Sequence, residues 1–145
     1  AMMWAATLAW NFLGSSGVGP WQTPAHTLEH PMSGLFNVPH GAGLAVVGPA
    51  WMTWESRRRL DRIAAFGREI MDVPGTDDSA VAAEGISRFK AWLKKIGNPV
   101  TLSACNIPET AIPELARHAE ILAKAWGTGA EYTAATCAEI FRLAR

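Results

Sequence analysis

Residues 21–41 read Trp21-Gln-Thr-Pro-Ala-His26-Thr-Leu-Glu-His30-Pro-Met-Ser-Gly-Leu-Phe-Asn-Val-Pro-His40-Gly41. Thr23 followed by Pro24 is a helix start. A threonine at that point suits the first free N–H groups, and proline in the first helical position sacrifices no intrahelical bond. The helix should reach about Phe36, with Pro31 inside it removing one backbone hydrogen bond and predicting a kink. Asn37-Val38-Pro39 is a tight connection, and the next helix starts near His40. His26 and His30 are four residues apart and so face the same side of their helix. The reversal at Pro39 can bring His40 back beside them.

Neutral imidazoles grouped in this way are a common arrangement of metal ligands. A lone histidine on an apolar helix is more often a hydrogen-bonded core residue. Three of the chain's four histidines within 15 positions are harder to read that way. Spacing alone leaves both metal binding or catalysis and a structural role open. The setting favours a site, because Glu29 is the single charged residue before Glu55.

Outward from this segment, apolar periodicity is helical and no stretch alternates with period two. The expected helices are about 1–13, 23–36, 40–54, 56–72, 78–96, one from Pro113 to Trp126, and a last one capped by Thr133. Pro49 is a second expected distortion. Four stripes should face inward: Leu60, Ile63, Gly67 and Ile70; Ala82, Ile86, Phe89, Leu93 and Ile96; Leu115, Ala119, Leu122 and Trp126; and Cys137, Ile140, Phe141 and Ala144. The fold class is therefore all-α, one bundle of about seven helices.

The 145 residues hold 13 basic and 13 acidic side chains, so the formal net charge is zero. That argues against nucleic acid as the main partner, since phosphate binding needs a basic excess. The run Ala1–Leu13 lacks a positive flank, and it stops at the Gly14-Ser15-Ser16-Gly17 cluster. It is shorter than the roughly 20 residues of a membrane span. It reads as a core helix of a larger protein entered partway. Residues 1–54 should be the least exposed part of the chain, or else leave a large apolar patch for another domain or subunit. Cys105 and Cys137 form no disulfide or zinc motif and point to a reducing compartment. Arg57-Arg58-Arg59 reads as a solvated face rather than a phosphate grip. His118 reads as a surface residue.

The string from His26 to Gly41, with its His-x-x-x-His spacing and Pro-His-Gly ending, resembles the signature of the iron-containing (group III) alcohol dehydrogenases, in their butanol dehydrogenase-like branch. Residues 3–9, 41–52, Gly85-Ile86 and Ile96-Gly97-Asn98-Pro99 extend the resemblance over essentially the whole chain. Met32 stands where leucine is usual, a mild swap in volume. The resemblance implies that residues 1–145 are the C-terminal metal-binding helical domain of the dehydroquinate synthase-like fold, without the nucleotide-binding α/β domain. It implies His26 and His40 as metal ligands and His30 as a catalytic residue beside substrate and nicotinamide. The family's other two ligands, an upstream Asp and His, have no counterpart before His26.

The implied cofactors are a divalent metal, Fe2+ or Zn2+, and NAD or NADP in the full-length parent. The implied reaction oxidises a primary alcohol or reduces an aldehyde. The metal acts as a Lewis acid that stabilises the alkoxide, and hydride passes to or from the nicotinamide. The implied protein is cytoplasmic, has neither nucleic acid nor membrane as partner, and forms a homo-oligomer, a dimer. A stand-alone helical metal-binding or interaction module without catalysis is the alternative. Phe36 with Trp21 or Trp51 would wall the substrate space, although plain core packing is the commoner fate of large aromatics.

Overall fold

Every regular element is helical among the residues described in this computed structural model, which are 1–11, 13, 16 and 22–145. Seven α-helices follow in order: α1 (Met2–Trp10), α2 (Pro24–Phe36), α3 (His40–Glu55), α4 (Leu60–Glu69), α5 (Asp78–Lys95), α6 (Ile112–Ala125) and α7 (Ala134–Leu143). Two short 3-10 turns, Ser103–Cys105 and Glu109–Ala111, lie between α5 and α6. Trp21 and most of the expected Gly14–Gly17 stop fall outside the described residues.

Local chemistry sets the boundaries that matter for the site. Helix α2 starts at Pro24, but Thr23 makes no side-chain capping bond. It runs on through Pro31 and ends at Asn37, whose left-handed backbone (φ 51°) turns its N–H back onto the Met32 and Ser33 carbonyls. Asparagine tolerates that conformation better than most residues. Pro39, extended at φ −56° and ψ 132°, then launches α3 directly at His40. Helix α3 likewise runs through Pro49. Asp77 caps α5 by accepting from the Ser79 N–H at 3.0 Å. Thr133 caps α7 by accepting from Thr136. Helix α5 gives way at Gly97, whose φ of +85° is open to glycine at little cost.

Two apolar clusters hold the bundle. The larger joins α2, α3, α6 and α7 around Leu28, Val46, Leu115 and Phe141, all fully buried. The smaller joins the end of α3 to α4 and α5 through Met52, Ile63 and Val81, with Trp51 against both. Fully burying a side chain of this size contributes roughly 1.5–3 kcal/mol. Helices α4 and α5 meet at glycines: a Cβ on Gly85 would lie 2.6 Å from Gly67 Cα.

Three expectations change. First, the opening apolar helix is not core. None of its residues is buried, and Met2, Met3 and Trp4 are the most exposed of its large apolar side chains. Burial requires a partner surface, and α1 meets the described bundle by Trp10 stacking on His26. The outcome is the apolar patch rather than the buried first third, although Thr27–Glu55 does supply much of the core. Second, α4 begins at Leu60 and not at 56. The intervening arginines reach carboxylates: Arg57 pairs with Glu139, Arg58 with Glu131 at 2.5 Å and Arg59 with Glu55 at 3.1 Å. Arg58 also lies over the Trp54 ring at 4.7 Å. Third, the expected inward stripes fail at their ends: Ile70, Ile96 and Trp126 are exposed where the chain leaves its helix. His118 is half-buried, 3.1 Å from an Arg117 guanidinium nitrogen.

Candidate metal centre

The α2–α3 reversal assembles the three histidines. The ring of His40 lies 5.1 Å from that of His26 and 5.4 Å from that of His30. His26 and His30 are 6.3 Å apart along one side of α2. His26 and His30 line a cavity of about 370 Å3, and His40 stands against both rings at its edge. The histidine spacing therefore placed all three side chains together, as expected from helical geometry.

Of the candidate wall residues, Trp21 lies outside the described residues. Phe36 and Trp51 pack against the main core, the commoner fate of large aromatics. Trp51 donates its indole N–H to the Tyr132 hydroxyl at 3.0 Å. The aromatic walls are instead Trp10, stacked on His26 at 5.4 Å, and Trp126, edge-on to His30 at 5.3 Å. Trp126 arrives at the C-terminal end of α6, which packs on α2. Thr23, Thr27 and Thr128 line the same cavity.

Sequence reasoning passed over Glu29. Its side chain is completely buried, yet it touches His40 Nδ1 and lies 3.7 Å from His30 Nδ1. The Ser33 hydroxyl lies within hydrogen-bond reach of both Glu29 Oε1 and the Val38 carbonyl, at 2.8 Å from the latter. Gly43, on the facing turn of α3, leaves room for the carboxylate: a Cβ there would sit 2.6 Å from Glu29 Cγ. One signal was available. A lone charge in an otherwise uncharged run of 54 residues must find a partner if it is buried.

Electrostatics suit a cation. Burial, followed by the neighbouring His40 and His30, holds the His26 pKa below its ordinary value, with Glu29 pulling the other way. A neutral imidazole keeps a lone pair for a metal. Ligand atoms of Glu29, His30 and His40 all lie within 4.8 Å of one another, a spacing that one ion could bridge.

Comparison with known proteins identifies the family. Residues 1–145 match the family described as Fe-containing alcohol dehydrogenase family, C-terminal. The chain is 30% identical over 118 residues to probable NADH-dependent butanol dehydrogenase 2 of Bacillus subtilis, covering 79% of this chain and 30% of that protein. It is also 30% identical over 122 residues to the NADPH-dependent aldehyde reductase YqhD of Escherichia coli, covering 82% of this chain and 30% of that one. The chain thus spans about a third of the length of the curated relatives it matches. The crystal structure of NADH-dependent butanol dehydrogenase A from Thermotoga maritima superposes with a TM-score of 0.85 at 33% identity, over 97% of this chain and 37% of that one.

Proposed function

The chain belongs to the Fe-containing alcohol dehydrogenase family, and from that premise we propose that residues 1–145 are the metal-binding helical domain of an NAD(P)-linked alcohol dehydrogenase or aldehyde reductase. The observation that carries the reading is the convergence of His26, His30 and His40 beside one aromatic-walled cavity. Imidazoles backed by a buried carboxylate are donor chemistry of the kind that suits Fe2+ or Zn2+. When bound, the ion supplies Lewis-acid polarisation of the substrate oxygen.

His26 and His40 are the proposed ligands. The alternative grouping of Glu29, His30 and His40 is less suitable, because both Glu29 oxygens already face protein partners, Ser33 and His40. His30, with its side chain 42% exposed beside the cavity, holds or moves the substrate proton at a ring nitrogen. Trp10 and Trp126 flank the reacting centre. The cavity's size and aromatic walls suit a small primary alcohol or aldehyde, the substrate classes in the relatives' names. NAD or NADP accepts or supplies the hydride, and none of this chain's residues is assigned to bind it. Free Cys105 and Cys137 accord with a cytoplasmic setting. The exposed apolar side chains of α1 accord with coverage in a dimer or by a further domain.

Calorimetric titration with Zn2+ and Fe2+ tests the site. A catalytic site takes about three protein ligands, so two histidines should bind weakly, and His26→Ala and His40→Ala should abolish that binding. His30→Ala should retain it. Loss with His30→Ala but not with His26→Ala overturns the ligand assignment. The 145-residue chain should not reduce NAD(P)+ with short primary alcohols, and measurable turnover would show that it is catalytically complete.

A further inference from the structure

We infer that Glu29 is a positioning residue that fixes the tautomer and orientation of His40, and so presents the Nε2 edge of that ring to a metal. The inference rests on the metal reading of the site and deepens it. A carboxylate taken completely out of water costs several kcal/mol unless its partners compensate. Glu29 is such a carboxylate, and its strongest partner is the Nδ1 atom of a ring whose own side chain is 46% exposed. The contact therefore joins the dry interior to the open side of the site.

Imidazole geometry supplies the next step. In a neutral ring only one nitrogen carries hydrogen. A carboxylate against Nδ1 accepts that hydrogen and leaves the lone pair on Nε2, at the far edge of the ring. Metal-bound histidines commonly have a carboxylate or carbonyl behind them in this way. Glu29 is itself held on its other oxygen by the Ser33 hydroxyl, which sits one turn along α2. Gly43 gives the carboxylate its space, since any side chain there would overlap it. Ser33, Glu29, His40 and Gly43 thus form one device spanning the α2–α3 reversal. His30, whose Nδ1 is 3.7 Å from the same carboxylate, lies beyond hydrogen-bond distance and remains free for its own role.

The test separates tautomer from metal binding. With 15N-labelled histidine and no metal at pH 8, long-range correlation spectra should show His40 as the neutral Nδ1–H tautomer. Glu29→Gln retains an acceptor oxygen and should preserve that tautomer. Glu29→Leu should give a mixture, and its Zn2+ affinity, followed by NMR titration, should fall roughly 10- to 100-fold. An Nε2–H tautomer or a doubly protonated His40 in the unaltered protein overturns the inference, whether or not the leucine variant folds. So does a Glu29→Leu protein that keeps both tautomer and affinity. If the unaltered protein shows the Nδ1–H tautomer but binds no Zn2+, the metal reading fails, and the response of the tautomer to Glu29→Gln and Glu29→Leu alone decides the role of Glu29.

Discussion

Replacing Gly43 by alanine sets two effects of opposite sign against each other. Within a helix, glycine to alanine stabilises by about 0.5–1 kcal/mol through backbone entropy. The added methyl, however, would lie 2.6 Å from Glu29 Cγ, 2.7 Å from Oε1 and 3.1 Å from Cδ. Glu29 has no accessible surface, so it cannot swing into solvent without opening the α2–α3 contact. Displacement loses at least one hydrogen bond to a charged group, worth about 1.5–3 kcal/mol. The net effect is a destabilisation of about 0.5–2.5 kcal/mol, after subtracting the helix gain. For a domain of this size that lowers Tm by about 1–10 °C. Gly34, in α2, is the control, because nothing lies within 4 Å of its added Cβ. Gly34→Ala should stabilise by about 0.4–1 kcal/mol. Urea unfolding followed by circular dichroism at neutral pH reads both. If Gly43→Ala is as stable as the parent while Gly34→Ala gains the expected amount, the carboxylate has another seat and the packing argument is refuted.

Gly85→Ala should also destabilise, by about 1–3 kcal/mol. Its Cβ would meet the Gly67 backbone, which has no rotamer to yield, and the same urea titration measures the loss. Burial pushes the Cys137 thiol up from 9.0 to about 12 and the Tyr132 hydroxyl up from 10.0 to about 12. The unfolded chain therefore releases these protons first as pH rises, so the stabilisation present below about pH 9 drains away toward pH 12. Unfolding free energies measured across that range should fall with pH, and Cys137→Ala combined with Tyr132→Phe should flatten the slope. Native protein at pH 8 should leave Cys137 unlabelled by a thiol reagent, and rapid native labelling would contradict its burial.

What was legible in the sequence follows a physical division between periodicity and partnership. Ala82, Ile86 and Leu93 on α5, and Cys137, Ile140 and Phe141 on α7, are buried where helical spacing puts them. Spacing alone decides which side of a helix is apolar, and the bundle buries that side. Ile96 and Trp126 fail because each follows the last residue of its helix, where the chain already turns outward. Helix α1 follows the second of its two expected outcomes, an exposed apolar surface. Its composition is that of a core helix, but burial belongs to a pair of surfaces, and one surface can be read without the other.

The site divides in the same way. His26 and His30 were readable from a four-residue interval, and His40 from the proline reversal. Which aromatics face them was not readable, since Phe36 and Trp51 lie nearer in sequence than Trp126 but enter the core. Glu29 was hidden because a lone acid in an apolar run leaves the helical periodicity unchanged. Yet a carboxylate cannot be dried at low cost without a donor. Near it on α2 the side-chain donors include His26, His30 and the Ser33 hydroxyl, and the next helix adds His40 at its first position. The sequence thus offers partners for a buried acid without choosing among them; in the structure Glu29 meets Ser33 and His40, and Gly43 leaves its carboxylate the space.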